Sequence, residues 1–387
     1  MKTKRPLILT IIVISMFQMG MVALSPVVSS ITTAFPGTSS QTAQLAMTFL
    51  PLILVVFALL SSPISKRIGR RTMAIIGLAL TVFVGIAAPF LTVSIGIVFL
   101  WSGLLGAGGG LFIPVASSLM VDYFDDQERQ QVAGWQTAGV NLGGVLLSIL
   151  AGVFAGLRWN CAYLVYLLAF PAMILCLRFL PKQDVVQAAA SDAKKHRIPG
   201  IVWTAALQTF LFAIIYFAFT TNISLLLVEK GQTSATVAGI ATAVFMLGGC
   251  IFGFVFPRLL KRCKDLTPSA AFVLLALSYL LIYLTDGLVP LMIGAFVGGG
   301  SLSIIFPYFV VSVGGKVDPS LSVLSTSLIL SVAPNFGSFV SPVIVNFITS
   351  LVGGATVNER FLVCTVTAVL LAVLIPLVKR LAAKQTA

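Results

Sequence analysis

The stretch from Pro181 to Ile198, PKQDVVQAAASDAKKHRI, is the longest polar segment in the interior of this 387-residue chain. Six apolar runs precede it, near 7–33, 42–64, 72–91, 95–121, 131–155 and 159–180. Six follow, near 199–228, 235–257, 268–285, 288–313, 321–349 and 358–378. Each is close to or longer than the roughly 20 apolar residues that carry a helix across a bilayer. Composition agrees, with 58% of residues hydrophobic, 9% charged and a mean hydropathy of +1.08. A water-soluble domain clothes itself with about 25% charged residues, so this chain has lipid as its solvent. The expected fold is an all-α membrane protein of twelve transmembrane helices in two six-helix, pseudo-symmetric bundles, 1–180 and 199–387, joined by the cytoplasmic linker 181–198.

Charge placement orients the spans. The net charge of +13 comes from 24 Lys and Arg against 11 Asp and Glu. With a cytoplasmic N-terminus, 21 of the 24 cations fall on the inner side and only Arg158, Lys230 and Arg360 on the outer, which is the bias that sets membrane topology. The basic excess therefore belongs to orientation, and nucleic-acid binding is set aside. The acids Asp122, Asp125, Asp126, Glu128, Asp184, Asp192, Glu229, Asp265, Asp286, Asp318 and Glu359 all lie in loops or at helix ends. Ionisable groups within a bilayer are costly and mark ion or proton pathways, so their absence from span centres argues against a buried carboxylate relay.

Other chemistries find little support. Cys161, Cys176, Cys250, Cys263 and Cys364 are scattered and contain no CxxC pair, and they read as small apolar fillers. His196 sits among Lys194, Lys195 and Arg197 in the linker as a solvated loop residue. Gly314-Gly315-Lys316-Val317 lacks the spacing and final hydroxyl of a phosphate-binding loop. No enzymatic activity, cofactor or metal is expected, and ATP is not the expected energy source. Lys2, Lys4 and Arg5 imitate the start of a signal peptide, but the apolar run extends to about Thr33 without a small-residue cleavage site and reads as the first span.

Landmarks repeat across the linker. Pro6 matches Pro199, Pro114 matches Pro307, and Val140-Asn141-Leu142-Gly143 matches Pro334-Asn335-Phe336-Gly337, at offsets of 193, 193 and 194 residues. Gly108-Gly109-Gly110 before Pro114 has a counterpart in Gly298-Gly299-Gly300 before Pro307. Such a pattern indicates a duplicated six-helix unit. The loop after the second span reads Ser62-Pro63-Ile64-Ser65-Lys66-Arg67-Ile68-Gly69-Arg70-Arg71. It resembles the G-x-L-x-D-R-x-G-R-R signature of the major facilitator superfamily, matching at Arg67, Gly69, Arg70 and Arg71 and departing at Lys66 and Ser62. Gly20-x5-Pro26, Asp122-Tyr123-Phe124 with Arg129, and Arg158-Trp159 are similar to further landmarks of that family. Gly139-Val140-Asn141-Leu142-Gly143-Gly144 resembles the efflux-type signature G-P-x-x-G-G with Val140 at its Pro. Ser102 stands where many members carry an Arg in helix 4.

The resemblance implies transport through a site near mid-membrane, faced alternately to either side. Candidate solute contacts are uncharged: Gln18, Thr137 and Asn141 in the first half, and Gln208, Ser331 and Asn335 in the second. Thr137, Asn141, Gly144 and Ser148 share one helical face, as do Ser327, Ser331, Asn335 and Ser338. Each Asn also admits a second reading, as an interhelical hydrogen-bonding group. Gln136, Asn222, Tyr216, Tyr308 and Trp135 are weaker candidates. The loop residues Lys66, Arg67, Gly69, Arg70 and Arg71, with Pro114 and Pro307, are assigned to gating, and Asp122 is the acid best placed for proton coupling.

The leading expectation is a monomeric secondary transporter in a plasma membrane, the bacterial inner membrane, moving a neutral or amphipathic small organic solute, with efflux ahead. Uptake of a small neutral or anionic nutrient is the alternative. A non-transporting sensor or a lipid-moving protein on the same scaffold is the alternative of another class.

Overall fold

The computed structural model describes residues 5–180, 198–314, 317 and 325–385. Lys2, Lys4, His196, Lys316, Asp318 and all of the linker except Ile198 lie outside these residues. Among the described residues every regular element is helical, and eleven helical runs are long and apolar enough to span a membrane. The protein is an all-α, multi-pass membrane protein. Large apolar side chains such as Phe90 (79% exposed) and Phe254 (81%) stand on its outside, where only lipid makes them favourable.

The chain forms two compact units. Unit 1 comprises Met1–Ala190 together with Thr233–Ala243. Its first helix is interrupted, as α1 (Arg5–Ser15), a 3-10 stretch (Met16–Val27) and α2 (Val28–Ala34). There follow α3 (Ser40–Ile68), α4 (Arg70–Leu91), α5 (Ile95–Tyr123) and α6 (Asp126–Ala155), then a 3-10 stretch (Trp159–Leu168) leading into α7 (Ala169–Phe179). Unit 2 comprises Ser191–Gln232 with Val244–Ala387. It holds α8 (Gly200–Glu229), most of α9 (Ala235–Cys263), α10 (Thr267–Leu284), α11 (Leu288–Gly300), α12 (Leu302–Gly314), α13 (Ala333–Leu351) and α14 (Val357–Gln385).

Local sequence explains the boundaries. The Ser39 hydroxyl accepts the Thr42 N–H at 3.1 Å and the Asp125 carboxylate accepts that of Glu128 at 2.8 Å, capping α3 and α6. Gly69 joins α3 directly to α4 with φ 80 and ψ 152, a region essentially reserved for glycine. The expected spans 235–257 and 268–285 fall within one helical run, Ala235–Leu284. Only the three-residue 3-10 turn Lys264–Leu266 separates α9 from α10, and Pro268 fits the first turn of α10, where a missing N–H costs nothing.

Glycines set the interhelical spacing. A Cβ at Gly106 would strike the Leu50 carbonyl of α3, and one at Gly108 would lie 2.6 Å from the Gly77 carbonyl of α4. Alternate glycines of α5 thus admit two different neighbours. Unit 2 repeats the arrangement: a Cβ at Gly299, 193 residues after Gly106, would strike the Phe245 carbonyl of α9. The contact of α6 with helix 1 repeats as well. Gly143 abuts the backbone of Met16, and Gly337 abuts that of Phe210, both pairs related by 194 residues. On α9 the close approach is made by Gly248, against the Phe296 carbonyl, whereas Gly253 meets only the Ser303 Cβ at 3.9 Å.

One polar tie inside unit 2 carries a charge. The Arg360 guanidinium donates to Asn222 Oδ1 at 2.8 Å, and Glu229 supplies opposing charge nearby. Asn222, 1% exposed, also donates to the Ala218 carbonyl at 2.9 Å. Asn222 is therefore a packing residue joining α8 to α14.

Two outcomes follow for the purified protein in detergent. Gly143→Val and Gly337→Val each lower stability by about 1–3 kcal/mol through overpacking, while Gly134→Ala, with nothing within 4 Å of its new methyl, leaves the melting temperature near that of the parent. Asn222→Leu costs about 1.5–3 kcal/mol because Arg360 loses a hydrogen bond, and thermal unfolding of Asn222→Leu, Arg360→Met and the double variant detects their non-additivity.

Candidate functional site

Two helix pairs carry the uncharged candidates, one in each unit. In unit 1 the pair is helix 1 with α6. Gln136 Nε2 donates to the Ser15 hydroxyl at 3.0 Å, and the Gly143 contact with Met16 holds the two backbones together further along. Between these two ties lie Thr137 and Asn141. The Thr137 hydroxyl donates to the Ala133 carbonyl at 2.9 Å, and Asn141 Nδ2 donates to the Thr137 carbonyl at 3.0 Å. Among the described residues Asn141 Oδ1 has no donor. Burial deepens along the stripe: Thr137 is exposed, Asn141 half-buried and Ser148 buried. Ser148 ends it, since its carbonyl lies 2.6 Å from where a Cβ of Gly239 would stand. Thr236 donates to the Gly152 carbonyl at 3.1 Å just beyond. Within unit 1 the stripe is therefore open at Thr137 and closed at Ser148.

In unit 2 the pair is α8 with α13. Asn335 Nδ2 donates to the Ser331 carbonyl at 2.8 Å, repeating the Asn141–Thr137 bond at an offset of 194 residues. Pro334 has no N–H to offer the Leu330 carbonyl, and the chain widens into a π-turn over Leu328–Val332 that includes Ser331. Such turns cluster at functional positions. The corresponding residue of α6 is Val140, and α6 runs unbroken. Ser331 and Asn335 are half-buried and Ser338 is buried, so polarity again deepens along the helix. Phe336 stacks on Phe210 with centroids 5.9 Å apart. Gln208, also half-buried, has a buried Oε1 without a donor among the described residues.

Gln18 occupies the 3-10 stretch of helix 1 and is exposed. The weaker candidates separate differently. Tyr216 is fully buried among Phe212, Phe217 and Phe245, and Tyr308 is buried against Phe309, so both are packing residues. Trp135 is 42% exposed on α6.

The gating candidates occupy the α3–α4 corner and helices α5 and α12. Lys66 and Arg67 are exposed in the last turn of α3, and Gly69 makes the corner. Arg70 forms an ion pair with Asp122 at the end of α5. Arg71 donates to the Leu177 carbonyl in the last turn of α7, the helix end where a cation is favourable. The acid expected at position 66 by family resemblance is thus absent, yet Arg70 has a carboxylate partner on a different helix. Pro114 lies within an unbroken α5. Pro307 lies within α12, and the preceding interruption falls at Ser301, whose hydroxyl donates to the Gly298 carbonyl at 2.6 Å.

Tyr166 and Ser341 escaped the sequence reading. Tyr166 donates to the Gly20 carbonyl, 146 residues away, and Ser341 donates to the Ile214 carbonyl, 127 away. No local pattern links residues that distant.

Comparison with known proteins supplies the family. Residues 8–262 match the model of the Major Facilitator Superfamily. A search of curated proteins found no match. Among solved structures, a point mutant of the nucleoside transporter NupG is similar at a TM-score of 0.75 and 13% identity, covering 96% of this chain and 98% of that one. A bacterial homologue of the human lysosomal transporter Spinster, inward-facing and occupied, gives 0.70 and 17%, covering 98% and 97%. The peptide transporter POT in complex with sulfate gives 0.74 and 14%, covering 97% and 94%. These identities speak to the fold alone, and the superfamily match spans more than half of the sequence. The chain belongs to the major facilitator superfamily and has that superfamily's secondary-transporter fold.

Proposed function

We propose that this protein moves a neutral or amphipathic small organic solute by alternating access of two six-helix bundles, 1–180 and 199–387, with efflux as the favoured direction. The observation that carries the reading is the repeated pair Asn141 and Asn335. Each amide is tied through its N–H to its own helix, and each presents an oxygen that no described residue fills, beside a close helix-to-helix contact. Gln18 and Thr137 beside Asn141 in unit 1, and Gln208 and Ser331 with Asn335 in unit 2, are the further uncharged polar candidates. An anion would ordinarily require a cation at such a place and a cation an acid, and these six residues offer neither.

Twelve spans, cytoplasmic termini, a bacterial inner membrane and a monomeric state complete the proposal, supported by the cation distribution and by the contacts repeated at offsets of 193 and 194 residues. Lys66, Arg67, Gly69, Arg70 and Arg71 regulate the inner gate, with Pro114 and Pro307 softening α5 and α12 there, since each removes a backbone donor. Asp122, held by Arg70, serves as that gate's ionic contact in preference to a proton carrier. Uptake of a small neutral or anionic nutrient is the second reading, an anion being favoured by the Arg360 guanidinium that bonds Asn222 within unit 2.

Reconstitution into liposomes with labelled neutral, anionic and cationic solutes, with and without an imposed pH gradient, tests the proposal. Flux of a neutral solute that survives Asp122→Asn is the expected result. Flux confined to anions contradicts the uncharged-site reading, and gradient-driven accumulation abolished by Asp122→Asn contradicts the role given to Asp122.

A further inference from the structure

Helix 1 leaves the helical path at Met19, where φ is −95 and ψ 23. A break of this kind weakens the intrahelical bonding of nearby carbonyls, and hydrocarbon offers no replacement. The Gly20 carbonyl is nonetheless satisfied. The buried hydroxyl of Tyr166, from the 3-10 stretch Trp159–Leu168, donates to it at 2.7 Å. A small cavity borders this bond, lined in part by Phe17, Gln18, Thr81, Phe112 and Tyr166. Its volume of ≈ 20 Å³ is little more than one water requires. Gln18 therefore lines a tight, mostly apolar opening, two residues before the carbonyl that Tyr166 holds.

We propose that Tyr166 is the positioning residue for Gln18: its hydroxyl fixes the Gly20 carbonyl and so holds the break in helix 1 at the geometry that turns the Gln18 amide toward the cavity. The proposal rests on the reading of Gln18 as a solute contact. Unit 2 shows why the break matters. There Tyr279 donates to the Ile215 and Tyr216 carbonyls at 2.8 and 3.1 Å, and Ser341 donates to that of Ile214 at 2.6 Å. Yet α8 is continuous from Gly200 to Glu229, so its carbonyls keep their intrahelical donors without help. Tyr279 supports packing; Tyr166 sets a conformation. Tyr279→Phe is accordingly the matched control, deleting a buried hydroxyl of the same kind with no helix break beside it.

The experiment uses the full chain with its five cysteines replaced, Gln18→Cys introduced, and reconstitution into nanodiscs. The readout is the rate of labelling by N-ethylmaleimide, with the melting temperature measured alongside. Tyr166→Phe is expected to change the labelling rate by about fivefold or more, the factor that corresponds to one net hydrogen bond, while Tyr279→Phe leaves it within about twofold. Equal effects of the two substitutions on the rate, or a rate unchanged by Tyr166→Phe, overturn the proposal. Hydrogen–deuterium exchange of the unmodified protein gives a check independent of any variant. Amides 19–24 are expected to be as protected as those of α1, and exchange there at loop rates overturns the proposal. Flux confined to anions in liposomes would remove the neutral-solute reading and leave the labelling result standing, whereas unchanged labelling would remove the positioning role and leave the transport reading standing.

Discussion

A peptide carbonyl placed in hydrocarbon must find a donor within the protein, and this requirement organises the whole molecule. It makes the chain helical throughout its described spans. It also dictates what happens where a helix deviates. At the break in helix 1 the Tyr166 hydroxyl takes over the Gly20 carbonyl. At the π-turn ahead of Pro334 the Asn335 amide donates to the Ser331 carbonyl as an additional partner. Where helices end, cations do the same work: Lys230 donates to the Ile282 carbonyl at 3.0 Å near the end of α10, and Arg71 donates to the Leu177 carbonyl of α7.

Lipid as solvent also removes the usual reason for helices to associate, because a neighbouring helix is no more apolar than an acyl chain. Close backbone approach replaces it, and the glycines of α5, α6, α11 and α13 supply that approach. The functional candidates stand beside these fixed points. Asn141 precedes Gly143 by two residues, as Asn335 precedes Gly337, so each amide stands near a close backbone contact of its helix. Recognition groups on rigid elements lose little freedom when a solute binds. The scarcity of charge therefore bears on both stability and recognition, leaving amides and hydroxyls as the groups available within the bundle.

Spans were legible because a run of roughly 20 apolar residues is seldom anything but a transmembrane helix, and a duplication was inferred because Pro and Gly landmarks recur at a fixed offset. The contacts Gly106–Leu50 and Gly299–Phe245 recur at a similar spacing. Departures from regular helix were less accessible. Helix 1 carries nothing at Met19 that distinguishes it from other apolar residues, and Pro114 and Pro334 read alike although only the second is accompanied by a π-turn. The partner of Arg70 was hidden for a different reason: the loop signature suggested an acid at position 66, and the acid that pairs with Arg70 lies 52 residues away at Asp122. Asn222 looked like a polar group for a cavity until Arg360, 138 residues on, claimed its oxygen.

The central claim is that Asn141 and Asn335 recognise an uncharged solute through amide oxygens that no described residue fills. The most direct measurement is the concentration dependence of flux, in liposomes, of the neutral solute the parent protein carries, compared among the parent, Asn141→Leu and Asn335→Leu. Leu preserves side-chain bulk and removes the hydrogen-bonding groups. The account predicts that each substitution raises KM by about fivefold to tenfold, the loss of roughly one hydrogen bond, with the fold intact by thermal unfolding. An unchanged KM, with a lowered melting temperature as the sole effect, would make both residues interhelical ties and contradict the account.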